Sequence, residues 1–543
     1  MRRLPPGLPP VRYAYGPPSV EKLLGALPVV AEFCRRLDVA GIVDRACPVR
    51  EVARVTHGQV IEALVANRLT SPRPLLRVAD WARTWAVEEV FGVAPDALND
   101  DRIGRALDAI ALELDRIVGS VGARAIATFG VDVARLHWDM TSISVYGAYQ
   151  EVEAGFAQPR WGKPKDRRPD LKQVQTGLAV SGDGGVPVWH RAYDGGAGEV
   201  AQVVGAMTQL KELAAERDLL LVGDSKLISR GNLLAMNTAK VAFIAPAAKT
   251  YLPADVLGGL EVGAATPVDY LAERDQDKPP EHQGSYRVLE GTITLAGKRK
   301  ADADLTVRWS SARAQAAAQS RTKKLDRARD DLQRVQRGLG GPHYQTPAKV
   351  TERVTSIARS RKVTALLGAQ VGTDPATGKP TLSWSVAQAA LDAEAATDGW
   401  YGLVTSLTPD QANAAEVLRR YKSQEVVERR YGAFKGPLAV APMFLKDNRR
   451  ISALISVICL ALLVFCLVER AVRQAIAPAV ELPGLYVGRP AKPTGRLVFE
   501  ALAWLRLNPA RGHDPPTIPT PPPLPARLLE LLKVDPTHPH WAS

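Results

Sequence analysis

Eighteen consecutive residues, Ile451–Val468 ("ISALISVICLALLVFCLV"), carry no charge. A run of that length has two physical outlets, the hydrocarbon of a bilayer or the interior of a large protein core. Arg449 and Arg450 precede it, Glu469 and Arg470 follow it, and no other segment approaches its apolar length. Ser452 and Ser456 lie inside it, and it continues a helix-patterned stretch, so a core helix is the expectation. A helix buried on every side needs a shell of other elements, and 543 residues suffice for about two to four domains.

The rest of the composition is that of a reduced, basic protein. Cys34, Cys47, Cys459 and Cys466 form no C-x-x-C pair and stand in apolar surroundings, as expected of structural thiols in a cytoplasmic protein without a zinc site. The opening "MRRLPPGLPPVRYAYG" has basic residues but no apolar stretch of signal-peptide type, so no secretory signal and no membrane partner are expected. Lys plus Arg number 70 against 57 Asp plus Glu, a net charge of +13. That balance points to a polyanionic partner, nucleic acid first.

Texture divides the chain. From about residue 19 to 125 it reads as helical: Thr56 and Gln59 make a T-x-x-Q capping box before Val60, Ile61, Leu64 and Leu69, and Asn99 to Asp101 cap a long helix from Ile103 onward. After Thr128 the pattern alternates. "RLHWDMTSISVYG" and "QVQTGLAVSGDGGVPVWHRAY" predict three antiparallel strands with a glycine turn at Gly182 to Gly185, then a helix over about 199–216, the strand "LLLVGD", a helix, and the strand "KVAFIAPA". This makes an α/β layer. Residues from about 256 to 396 hold short strands and a helical hairpin. Its first helix carries Leu325, Ala328, Leu332 and Val335 at heptad-like spacing, and its second lies in "KVTERVTSIARSRKVTALLG". "DGWYGLVTSL" resumes strand texture, which marks that block as an insertion. The tail, "DPPTIPTPPPLPARL", is expected to be extended.

Asp139 in "HWDMTS" and Asp224 in "LVGDSK" stand on or at the end of apolar strands. A carboxylate there is costly to bury unpaired, and two converging ones cannot both ionise without a cation. Magnesium, a hard ion that prefers oxygen ligands, resolves that conflict. A third carboxylate is offered by "YKSQEVVERRYGAFK". There Tyr421, Gln424, Glu428 and Lys435 fall within roughly 60° of one another on a continuous helix, a polar stripe where aliphatics would be expected. Three carboxylates holding two metals suit in-line phosphoryl transfer.

The stripe resembles the Y-x2-R-x3-E-x6-K signature of the YREK branch of DDE insertion-sequence transposases, with Tyr421, Gln424, Glu428 and Lys435 in the four places. "HWDMTS" is similar to that family's first acidic motif and "LVGDSKLISRGN" to its second. "GKPKDRRPDLKQVQTGLAV", "GVPV" and "YDGG" are similar to the segment between them. "VTHGQVIEALVANRLTSPRPL" and "LNDDRIGRALDAI" resemble the helical domain ahead of the catalytic core in one subgroup. The resemblance spans about residues 25 to 475. It implies an α/β fold, an RNase H-like mixed-sheet catalytic core split by an α+β insertion and preceded by an all-helical domain. The implied parts are a DNA-end-binding domain over 1–125, core over 126–255, insertion over 256–396, core again over 397–475 with the Glu helix, and a tail over 476–543.

What the resemblance implies chemically is two-metal cleavage and strand transfer at the terminal inverted repeats of an insertion sequence. Asp139, Asp224 and Glu428 would be the catalytic metal ligands, with two Mg2+ ions that Mn2+ can replace. Tyr421 and Lys435 would meet DNA phosphates. Gln424 stands where the signature has Arg, which removes a charge and a bidentate phosphate fork. Lys163, Lys165, Arg167 and Arg168 in "WGKPKDRR" are candidates to steer double-stranded DNA, either repeat ends or target. A homodimer on DNA follows by family analogy. Trp161, Trp309 and Trp384 are stacking candidates with a core role as the alternative, and His137 shares a strand face with Asp139 but is a poor magnesium ligand. The alternatives are an RNase H-like nuclease without strand transfer and a DNA-binding relic with a dead site.

Overall fold

The computed structural model describes residues 21–247, 264–276, 278–290, 307–310, 312–508 and 516–536. The N-terminal run, the "GTITL" part of the expected insertion strands, the side chain of Trp309 and the C-terminal end lie outside the described residues. The chain forms two compact units, one from Met1–Leu219 with Glu425–Ser543 and one from Leu220–Gln424.

The first unit begins with helices α1 (Leu27–Leu37), α2 (Val39–Ala46), α3 (His57–Thr70), α4 (Val78–Thr84), α5 (Val87–Phe91), α6 (Asp100–Ala111) and α7 (Leu114–Phe129). The capping box is formed: Thr56 accepts from the Gln59 amide and Gln59 returns the bond. Asn99 caps α6 by accepting from the Arg102 amide at 2.9 Å. The single long helix expected from Ile103 onward is instead two, broken at Leu112–Glu113, where Leu112 turns out to solvent. Gly58 has a packing reason, since a Cβ there would lie 2.4 Å from the Ala40 carbonyl oxygen, closing the contact between α2 and α3.

Three strands follow, β1 (Arg135–Val145), β2 (Lys172–Ser181) and β3 (Pro187–Tyr193), antiparallel in the order β1-β2-β3, with Asp139 opposite Leu178 and Leu178 opposite His190. The β2–β3 turn needs its glycines, because Gly184 and Gly185 have φ of 80° and 64°. Helix α8 (Glu199–Ala214) comes next.

The second unit opens with β4 (Leu220–Val222), α9 (Arg230–Thr238) and β5 (Ala242–Pro246), a parallel β-α-β step. The strands β6 (Thr266–Val268), β7 (Tyr286–Val288) and β8 (Val307–Ser310) follow, then the hairpin of α10 (Ala312–Arg337) and α11 (Pro347–Arg361). After them come the ribbon β9 (Leu367–Thr373) with β10 (Pro380–Val386), α12 (Gln388–Ala396), β11 (Trp400–Thr405) and α13 (Ala414–Lys422). Within this unit the sheet order is β4-β5-β11-β8-β7-β6, a mixed sheet. The hairpin has its own core: Ala328, Leu332 and Val335 pack on Val350, Val354 and Ile357, with Leu382 and Trp384 of the ribbon against them. Trp384 therefore takes the core role.

The chain returns to the first unit with α14 (Glu425–Lys435), α15 (Asn448–Ile476), the ribbon β12 (Leu482–Tyr486) and β13 (Arg489–Ala491), α16 (Gly495–Leu502) and α17 (Pro523–Leu532). Every residue from Ile451 to Arg470 of α15 is buried, so the uncharged run is the core helix of this unit. The tail is not extended throughout. Proline is tolerated in the first helical turn, and Leu528, Leu529 and Leu532 give α17 a face to bury.

Candidate metal and DNA site

Asp139 sits mid-strand on β1, its side chain only 16% exposed. Its Oδ1 accepts from the Met140 amide at 2.8 Å. Glu199, the first residue of α8 and buried, accepts from the same amide at 3.3 Å and shares a hydrogen bond with the Asp139 carboxyl. Two carboxyl groups this close disfavour a second negative charge. Burial first, and Glu199 beside it, push the Asp139 carboxyl up to about 7, against the pull of Lys165 and the Met140 amide. Lys165 lies over the pair, with Nζ 3.4 Å from Asp139 Oδ1 and hydrogen-bonded to the Met140 carbonyl. Its own amide donates to Ser142 Oγ at 2.8 Å, which anchors the β1–β2 loop at that point.

Helix α14 lies on the same strand. Tyr431 is buried, and its hydroxyl proton lies between the Asp139 carbonyl, with the oxygens 2.7 Å apart, and the Thr176 carbonyl, at 3.0 Å. Arg430 fixes the other side: it donates to the carbonyls of Gly184 and Gly185, and pairs at 2.8 Å with Glu469 of α15, both partners buried. Glu469 also accepts from Arg473 and from the Gly495 amide. Because a buried ion pair needs its remaining lone pairs satisfied, this network seats α14 at one depth and rotation. Lys435, half-buried at its C-terminal end, has its pKa lowered by burial and by Lys165, while Asp166 and Asp139 favour its charge. Asp166 is held by Ser144. Glu428 stands two turns before Lys435, on the same helix face and exposed.

Asp139, Lys165 and Lys435 are thus brought into one electrostatic neighbourhood. The continuous stripe is corrected. The helix is interrupted at Ser423 and Gln424, so Tyr421 and Gln424 belong to the end of α13 and the break, in the second unit, while Glu428 and Lys435 belong to α14. The physical cause is local: Ser423 bonds from its hydroxyl back to the Arg420 carbonyl, and its amide and that of Gln424 close the last turn on Arg419 and Tyr421. Tyr421 packs with Tyr401, ring centroids 6.3 Å apart, on the second unit's core.

Asp224, in the second unit, follows β4 and caps a short turn, accepting from the Lys226 amide at 2.8 Å. Among the described residues no three His, Cys, Asp or Glu side chains group as a metal cluster. Lys163, Arg167 and Arg168 are exposed on the β1–β2 loop, Arg167 with φ of 60°, and Arg168 is paired with Asp170 at 2.6 Å. Trp161 is 60% exposed on that loop, whereas His137 is fully buried. Glu199 is the residue sequence reasoning missed. An acid at a helix start has an ordinary dipole role, and no short-range pattern sets this one apart, because its place beside Asp139 depends on strand register and on where α8 starts.

Residues 19–117, spanning α1 to α6, match the family described as a domain of unknown function (DUF4277). No curated protein matches the chain. Among solved structures the chain is similar to the cryo-EM structure of piggyBac transposase synaptic complex with hairpin DNA (SNHP), at 9% identity and a TM-score of 0.38, over 95% of this chain and 83% of that one. A likeness that loose leaves mechanism to be argued from the site's own chemistry.

Proposed function

We propose that the protein is a transposase of DDE type, cutting and rejoining double-stranded DNA by metal-dependent phosphoryl transfer at the ends of an insertion sequence, through an RNase H-like core. The observation that carries this reading is the buried Asp139–Glu199 pair with Lys165 over it and Lys435 beside it. The donor set is hard oxygen, and a carboxyl raised towards neutral pH by burial first and by a like-charged neighbour second is relieved by a divalent ion, so the residues fit Mg2+ or Mn2+. Asp139 and Glu199 would hold one ion, and Asp224 and Glu428 complete the two-metal set in this reading.

When bound, the ions lower the pKa of an attacking water or 3′-hydroxyl and stabilise the leaving oxygen. The chain's residues do the rest. Attack at phosphorus forms one P–O bond as another breaks, with the displaced 3′-oxygen leaving opposite the nucleophile. Lys165, beside Asp139, and Lys435, close enough to feel both, would each offer a cation to a phosphate oxygen of the strand. Tyr421, Gln424, Lys163, Arg167 and Arg168 contact the flanking backbone, and a homodimer holds two ends together. The test is a labelled duplex carrying the inverted repeats that flank the gene, incubated with wild type and increasing Mg2+ or Mn2+. Metal-dependent cutting at the repeat boundary supports the reading; binding without cutting at any metal level sinks it.

A further inference from the structure

Arg68 of α3 is 7% exposed, and no carboxylate among the described residues pairs with it. Its Nη1 reaches only the Ala439 carbonyl, at 3.5 Å, and its Nε is buried without a hydrogen-bond partner. Burial pulls its pKa down to about 10. An isolated buried guanidinium is expensive unless an anion completes it. Arg68 lines two adjoining clefts of about 420 and 370 Å³, within the size range of small-ligand sites. The larger one has apolar and aromatic walls, chiefly Trp85, Leu438, Phe465 and Phe499, with the two phenylalanines stacked at 5.6 Å. At its exposed mouth Arg496 and Glu500 neutralise each other at 2.7 Å. The uncompensated charge is therefore at depth and positive, against flat apolar walls.

We infer that this cleft binds an organic phosphate of nucleotide size, its phosphate on the Nε edge of Arg68 and its planar group along the aromatic walls. The unused Nε edge is the side-on fork of a guanidinium, which takes two oxygens of one phosphate, and aromatic walls suit a planar base. The site stands apart from the carboxylate pair and does not rest on its reading. The phosphate could come from a free nucleotide or from the 5′ end of a DNA strand.

Calorimetry on the full chain, with thymidine 5′-monophosphate, thymidine, inorganic phosphate and benzoate as probes, tests it. The monophosphate should bind about tenfold or more tighter than the other three, since only it offers both halves. Arg68→Met should lose about tenfold or more of that affinity while its ligand-free unfolding temperature stays level or rises, because an unpaired buried charge has gone. Phe499→Leu should weaken the monophosphate and leave inorganic phosphate unchanged, which keeps the test alive should Arg68→Met not fold. Competition by a 5′-phosphorylated single strand assigns the source to strand ends, and failure to compete assigns it to the free nucleotide. No binding of the monophosphate to folded wild type, equal binding of benzoate, or unchanged affinity in folded Arg68→Met overturns the inference.

Discussion

Replacing Asp139 with Asn should stabilise the metal-free protein, and should do so only where the aspartate is forced to ionise. In the fold its carboxyl is raised from 3.8 to about 7, with burial the first cause and Glu199 adding to it. Because the folded value lies above the unfolded one, the penalty is absent below the ordinary carboxyl range, grows as pH rises towards about 7 and is complete above it. At about 1.4 kcal/mol per pH unit, it amounts to on the order of 4 kcal/mol at about pH 8 and on the order of 1–2 kcal/mol at about pH 5. Asparagine keeps an oxygen for the Met140 amide and offers Glu199 a donor. Lys165 loses a partner but is half exposed, so its loss is small. The melting temperature of Asp139→Asn should exceed that of wild type by several °C more at about pH 8 than at about pH 5. Millimolar Mg2+ at the higher pH should raise the wild-type melting temperature and leave the variant unmoved. An equal change at both pH values, or greater destabilisation of the variant at the higher one, would refute the reasoning.

Four further outcomes follow, three from the packing and one from the proposed DNA contact. Glu469→Ala strands Arg430 in the core and should lower unfolding free energy by about 3–5 kcal/mol in urea titration. Gly185→Ala places a Cβ 2.3 Å from Val426 at a φ of 64°, so it should cost about 2 kcal/mol or more by the same assay. Thr56→Ala should cost about 1 kcal/mol through loss of the helix cap, and Thr56→Ser next to nothing. Lys435→Ala should weaken duplex binding and reduce its salt slope by about 1, whereas Lys435→Arg should keep both.

The parts of the fold governed by short-range rules were legible in the residues. An uncharged run that carries two serines and continues a helix-patterned stretch was expected in the core, and Ile451–Val468 is buried at every position. Thr56 and Gln59 stand at the spacing of a cap, and the heptad of Leu325 to Val335 named the face on which the hairpin closes. What escaped notice depended on competition between equally regular patterns. A helical period runs unbroken through Tyr421–Lys435, and nothing in it announces that Ser423 will bond back to Arg420 and end the turn. Leu528, Leu529 and Leu532 outweighed a proline-rich composition, since a buried apolar face counts for more than the extended preference of the residues before it. Glu199 is illegible for another reason. Its closeness to Asp139 arises from strand register and from where α8 starts, which are tertiary facts. The orientation of α14 is likewise tertiary, because Arg430 and Tyr431 act through partners on β1, on the β2–β3 turn and on α15.

The central claim is that Asp139, Asp224 and Glu428 serve one metal-dependent reaction. The most direct measurement is the rate of repeat-end cleavage in Mg2+ by Asp139→Asn, Asp224→Asn and Glu428→Gln, each shown to be folded and to bind the duplex. Asp170→Asn, on the exposed loop, serves as the control. The account predicts that all three lose cleavage by several orders of magnitude while the control cuts as wild type does. Cleavage at the wild-type rate by any one of the three would contradict it.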